Sequence, residues 1–125
     1  MSQNRAPILK LGGTLIASVQ EALMDADLLG LRDELVADVK RYRATGVIID
    51  VTILDVLDSF AARTIRNIAQ MTRLIGARTV IVGIQPDVAF SMVQLGLTLE
   101  GIDTALDLED GLALLDLELG NTRRD

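Results

Sequence analysis

Residues 46–65 read "GVIIDVTILDVLDSFAARTI", and the fold is decided by a change of period inside them. The opening "GVIIDVT" is a β-branched apolar run without alternation, the pattern of a strand covered on both faces and therefore central in a sheet. From Ser59 the apolar residues return at helical spacing, which predicts a helix from Ser59 to Ile75. Between strand and helix lies a short connection carrying Asp55 and Asp58.

The same alternation extends in both directions along the chain. Upstream, "APILKLGGTLIASV" holds two apolar runs broken by Gly12-Gly13, which predicts a hairpin from about Ile8 to Val19. Leu28, Leu31, Leu35, Val39 and Tyr42 recur at spacings of three and four and predict a helix over 27–44. Acids near its start, bases near its end and Gly46 as its terminator fit the helix macrodipole and its C-cap preferences. Downstream, "RTVIVGI" is a second buried strand. "QPDVAFSMVQLG" is a short helix with Pro86 at its start and Gly96 just past its end. "DTALDL" is a brief last strand, and "EDGLALLDLELG" a closing helix carrying Leu112, Leu115 and Leu119, with Gly111 a weak helix former inside it.

The order is thus β-β-α-β-α-β-α-β-α: an α/β domain of about five strands and about four helices, with right-handed crossovers and a mixed, mainly parallel sheet. The expected organisation is an N-terminal arm over 1–7, one domain over 8–119 and a C-terminal tail over 120–125. In such sheets function gathers at the carboxyl ends of the strands, where "ILDVLDS" lies.

At 100° per residue with Ser59 at zero, Arg63 falls at about 40°, Arg66 at about 340°, Gln70 at about 20° and Arg73 at about 320°. Ser59 therefore shares a polar stripe with arginines. Phe60, Ala61, Thr64, Ile65, Ile68, Met71, Thr72 and Ile75 occupy the opposite arc, expected to pack on the sheet. The plainest role for Asp58 or Ser59 is to cap the helix. A hydroxyl at a helix N-terminus one turn before Arg63 is also a favourable place to add a phosphoryl group, because backbone donors, the dipole and the guanidinium all stabilise the new charge. Asp55 and Asp58 would oppose that charge.

Composition narrows the chemistry. The 125 residues are half apolar, with one tyrosine, two phenylalanines and no tryptophan, enough for one core and for residual sticky surface that favours self-association. A net charge of −6 argues against nucleic acid and anionic membrane as partners. No apolar run is long enough to span a bilayer and the N-terminus lacks a signal-peptide core, so the expected location is cytoplasmic. With no histidine and no cysteine, Ser59 lacks the usual general base, and thiolate catalysis and Cys-rich zinc sites are excluded. Asp50, Asp55 and Asp58 are the carboxylates available to a Mg²⁺ ion, one in a strand and two on a loop. Gly12-Gly13 lacks the spacing of a phosphate-binding loop. A receiver domain with Asp50 as phosphoacceptor would need an acid pair after the first strand and a lysine after the last, and "LKLGG" and "TALDLEDG" supply neither. The expectation is no catalytic residue, no metal and no cofactor.

On two segments, "GVIIDVTILDVLDSFAARTIRNIAQMTRLIGART" and "VIVGIQPDVAFSMVQLGL", the chain resembles STAS domains, the fold of anti-sigma-factor antagonists, and among them the small S-type (RsbS-like) scaffold subunits of bacterial stressosomes. The resemblance runs from about Ile8 to Leu119. Asp58-Ser59 matches the phosphoacceptor motif. Simpler antagonists have a second serine and a glycine next, where this chain has Phe60 and Ala61, which fits the stressosome type. The resemblance implies a non-enzymatic phosphoprotein that binds a switch serine/threonine kinase (RsbT-like), co-assembles with R-type sensor subunits (RsbR-like) into homo- and hetero-oligomers, releases the kinase when Ser59 is phosphorylated, and is reset by a partner phosphatase. Asp55, Asp58, Arg63 and Arg66 become the expected kinase-facing or phosphate-neighbouring surface. Ser91 and Thr98 are further hydroxyls near "GIQPDVA". Two other classes remain at this point: a module binding a nucleotide or other anion at the same helix N-terminus without covalent change, and a small Mg²⁺-dependent hydrolase using the aspartates.

Overall fold

The computed structural model describes residues 6–20, 24–97, 99 and 101–123. Among them the elements are β1 (Ile8–Leu11), β2 (Thr14–Ser18), α1 (Asp25–Tyr42), β3 (Gly46–Asp50), α2 (Ser59–Leu74), β4 (Arg78–Val82), α3 (Pro86–Gln94), β5 (Asp103–Ala105) and α4 (Leu108–Arg123). The sheet runs β1-β2-β3-β4-β5. β1 is antiparallel to β2 and every later pair is parallel, the expected mixed sheet in the expected order.

The hairpin forms because Leu11 pairs with Thr14, leaving Gly12 and Gly13 as a two-residue turn, with Gly12 at φ +59°, where a side chain would be strained. The strands then sort their side chains by alternation. Leu15, Ala17, Val47, Ile49 and Ile81 join the main core with buried residues of α1, α2 and α3. Ile16, Ile48, Val80 and Val82 point the other way and pack with Leu115 of α4. One face of the sheet therefore carries three helices and the other carries one. β3 and β4 are buried on both faces, which is why their sequences do not alternate.

Gly111 has a packing reason to sit inside a helix. A Cβ there would stand 2.7 Å from Val82 Cγ1 and 3.4 Å from Ile48 Cδ1, so its absence lets α4 lie close on β3 and β4. Leu112 is half-buried and Leu115 buried, while the side chains after Asp116, Leu119 included, lie outside the described residues. Helix α4 continues past Leu119 to Arg123, and at the other end Ala6 is already buried in the core.

Several details depart from the sequence expectation. α1 starts at Asp25, where the Met24 N–H donates to Asp27 Oδ2 at 3.1 Å. It is ended by Arg43 in the left-handed region, φ 53°, and not by Gly46, which opens β3 and whose N–H donates to the Gly13 carbonyl. Tyr42 lies at the helix end, 43% exposed, with Lys10 and Arg41 over its ring at 5.8 and 5.3 Å. On α2, Met71 and Ile75 are exposed while Ala62 and Ala69 are buried. The reason is that α2 packs against α1 as well as the sheet, so the buried arc is displaced toward the side that carries the two alanines. Its two buried threonines are satisfied internally: Thr64 Oγ1 donates to the Phe60 carbonyl at 2.8 Å, and Thr72 Oγ1 donates to the Ala69 carbonyl at 3.0 Å and bonds Thr79 Oγ1 of β4 at 2.8 Å.

Candidate phosphoacceptor site

At the carboxyl ends of β3 and β4 the backbone is organised by short polar residues. Asp50 Oδ1 accepts from the Thr52 N–H at 2.9 Å and from the Thr52 hydroxyl at 2.5 Å, closing an Asx-type turn as the chain leaves the sheet. The Thr52 carbonyl accepts from Gln85 Nε2 at 2.5 Å, and Gln85 is the residue that precedes α3. Gly83, at φ +83°, lies so near Thr52 that an added Cβ would fall on the Thr52 hydroxyl. The "GIQP" segment thus buttresses the loop that follows β3. Further along that loop Leu57 is buried and Leu54 half-buried against the core, while Ile53 and Val56 face solvent at 55% and 72% exposure.

This anchoring delivers Asp58 and Ser59 to the start of α2. Asp58 is the N-cap: its Oδ1 accepts from the Ala61 N–H at 2.8 Å, and its carbonyl accepts from the Ala62 N–H at 2.9 Å. The cap is therefore Asp58 and not Ser59. Ser59 is exposed, its hydroxyl has no partner among the described residues, and the N–H groups of Ser59 and Phe60 point out of the helix end without a protein acceptor there. Arg63, one turn along, is exposed and Arg66 half-buried; neither is ion-paired within the described residues. Asp55 is exposed on the loop. The site accordingly combines an uncommitted hydroxyl, unsatisfied backbone donors and unpaired guanidinium groups, an arrangement that stabilises an anion on or beside Ser59.

Asp50 is occupied by Thr52, and among the described residues no three acids come together in a metal-holding cluster. Ser91 is exposed on α3; Thr98 lies outside the described residues. Sequence reasoning missed Thr52, Gly83 and Gln85 as supports of the loop. The available signal was "DVT", an acid two residues before a threonine at a strand end, which is the spacing of an Asx turn.

Behind the loop lies a cavity of about 170 Å³ between α1, β3 and α2, bordered by Val19 just past β2. Its walls include Val19, Leu28, Leu31, Ile49, Leu57 and Ile65, and Asp25, Val56 and Asp58 also line it.

Comparison with known proteins agrees with this fold. The STAS domain profile matches residues 4–111. The chain belongs to the STAS domain family. Among solved STAS structures, RsbS of Moorella thermoacetica, determined with a serine replaced by glutamate, is 33% identical with a TM-score of 0.81 over 93% of this chain and 98% of that one. A chain from a structure of the stressosome, described as a signal integration and transduction hub, is 34% identical with a TM-score of 0.76 over 95% of this chain and 100% of that one. The RsbT co-antagonist protein RsbRA of Bacillus subtilis is 32% identical over 90 residues, which are 64% of this chain and 33% of that protein. The STAS chain thus spans about a third of the length of that curated relative. No helix among the described residues is long and apolar enough to cross a membrane.

Proposed function

We propose that this STAS domain is a non-enzymatic scaffold of a stressosome-type complex that holds a switch serine/threonine kinase and lets it go when Ser59 is phosphorylated. The observation that carries the reading is the Ser59 hydroxyl: exposed, unbonded among the described residues, and one turn before Arg63, which is likewise unpaired among them. The neighbouring residue already fills the cap, so modifying Ser59 breaks no bond that holds the fold. A phosphoryl group adds about −1.5 to −2 charges, satisfied locally by the free N–H groups and Arg63 and felt by whatever is docked on the same face. Weakening a complex by about 2–3 kcal/mol raises its dissociation constant on the order of 100-fold, enough to release a partner.

The relatives support the partner set. RsbRA is named a co-antagonist of RsbT, and the Moorella RsbS variant puts a permanent negative charge where a serine hydroxyl had been. The partners are accordingly an RsbT-like kinase, RsbR-like sensor subunits within a shared cytoplasmic assembly, and a phosphatase that removes the mark. Asp55, Asp58, Arg63 and Arg66 form the surface the kinase meets.

The test is incubation of the chain with ATP and the RsbT-like kinase from the same genome, followed by mass spectrometry and by a pull-down of the kinase. Phosphate on Ser59 with loss of kinase binding is the expected result. Phosphate on Ser91 or Thr98 alone, or a kinase that stays bound to the phosphorylated chain, refutes it. Saturable nucleotide binding without phosphotransfer, lost in Ser59→Asp, would instead assign the free N–H groups to a bound anion.

A further inference from the structure

The cavity behind the Ser59 loop has a shape and a charge pattern that the switch does not use. Its walls are core residues of α1, β3 and α2 with Val19 and Leu57 beside them, and at about 170 Å³ it matches the size of a cavity of about 150 Å³ that takes benzene, below the roughly 300 Å³ at which pockets for drug-sized ligands begin. The space opens to solvent beside the loop, past the exposed Asp25, Val56 and Asp58, so a small ligand has both room and a way in. The walls are mainly apolar, with carboxylates from Asp25 and Asp58 among the lining, which favours a hydrocarbon or aromatic body that carries one polar end. The lining residues that reach solvent are Asp25, Val56 and Asp58. Asp25, at the start of α1, has no partner among the described residues. Asp58 spends one carboxylate oxygen on the Ala61 N–H and keeps the other. No lysine or arginine lines the space among the described residues.

We infer that this cavity binds a small organic cation, a compact apolar body of about six carbons carrying an ammonium group held between Asp25 and Asp58. Such a ligand packs directly behind Leu57 and Asp58, the two residues that set the turn before Ser59. It therefore connects a chemical signal to the loop without touching the serine. The inference does not rest on phosphorylation of Ser59.

The probe is benzylammonium, with benzoate as the charge-reversed control, titrated into the full chain while methyl resonances are followed by NMR. Benzylammonium shifts the methyl signals of Leu28, Leu31, Ile49 and Ile65 saturably, with a dissociation constant on the order of 1 mM for eight non-hydrogen atoms, and benzoate binds at least tenfold more weakly. Ala61→Leu, which extends three carbons into the cavity, abolishes the shifts. Asp25→Asn, at an exposed position that leaves the fold intact, weakens binding about threefold or more. Ser59→Ala binds like the parent, which separates this site from the switch. Absence of saturable shifts in those methyls, equal affinity for benzoate, or indifference to Asp25→Asn overturns the assignment.

Discussion

Asp58 has two separable duties, and replacing it in two ways tells them apart. As the N-cap it accepts from the Ala61 N–H at 2.8 Å, a bond whose loss costs about 1 kcal/mol. For 125 residues at roughly 2.1 cal/mol/K of unfolding entropy per residue, that is about 4 °C in melting temperature. Asp58→Ala should therefore melt about 4 °C below the parent, whereas Asp58→Asn, whose amide oxygen caps equally well, should melt within about 1 °C of it. After phosphorylation the order changes. The Asp58 carboxylate then stands beside a group of about −1.5 to −2 charges, and repulsion from that charge at about 6 Å costs roughly 1 kcal/mol even at a water-like dielectric. Phosphorylated Asp58→Asn should accordingly melt above the phosphorylated parent by about 4 °C. The assay is a thermal melt of each variant before and after kinase treatment, with occupancy at Ser59 measured by mass spectrometry. If unmodified Asp58→Ala melts with the parent, the side chain is not acting as the cap and the reasoning fails.

Other outcomes follow from the same geometry. Ser59→Ala should change stability by less than about 0.5 kcal/mol in urea denaturation, because the hydroxyl is exposed and unbonded, while abolishing phosphate incorporation. Gly111→Ala sets a helix-propensity gain of up to about 1 kcal/mol against an overlap with Val82, and the close packing should win with a net loss of about 1–3 kcal/mol; an increase in stability would refute the close approach of α4. Gly83→Ala should cost about 3 kcal/mol through its positive φ and its collision with Thr52, and amide exchange at Thr52 should accelerate. Ile68→Ala, at a position with 0% exposure, should cost about 2–5 kcal/mol, read by the denaturation midpoint.

The strands and helices were legible because each was written in one strong period. "GVIID" and "RTVIV" are covered on both faces and say so by lacking alternation, and the α2 periodicity placed Ser59 outward. What the sequence withheld depended on neighbours it does not name. The helical wheel takes α2 as packed on a sheet alone, so it put Met71 and Ile75 inside and overlooked Ala62 and Ala69, which are buried because α1 is a second neighbour. Gly46 looked like a helix stop because glycine so often is one, yet Arg43 adopts the left-handed turn and Gly46 is needed where Leu115 approaches to 2.9 Å of its virtual Cβ. At the site, composition could not choose between Asp58 and Ser59 as the cap, since either side chain can accept that bond. The tie from Thr52 to Gln85 joins residues 33 positions apart, beyond the reach of any local pattern.

The Thr52–Gln85 bond also has a mechanical meaning. Gln85 is the footing of α3, whose outer side shows Phe90 and Val93 at 64% and 79% exposure, so the serine-bearing turn and this greasy helix stand on a common foundation. A protein gripping α3 loads the same joint as one gripping the turn, while α4 packs on the opposite face of the sheet. Two visitors could therefore sense each other through one glutamine side chain, with no need for the sheet itself to bend.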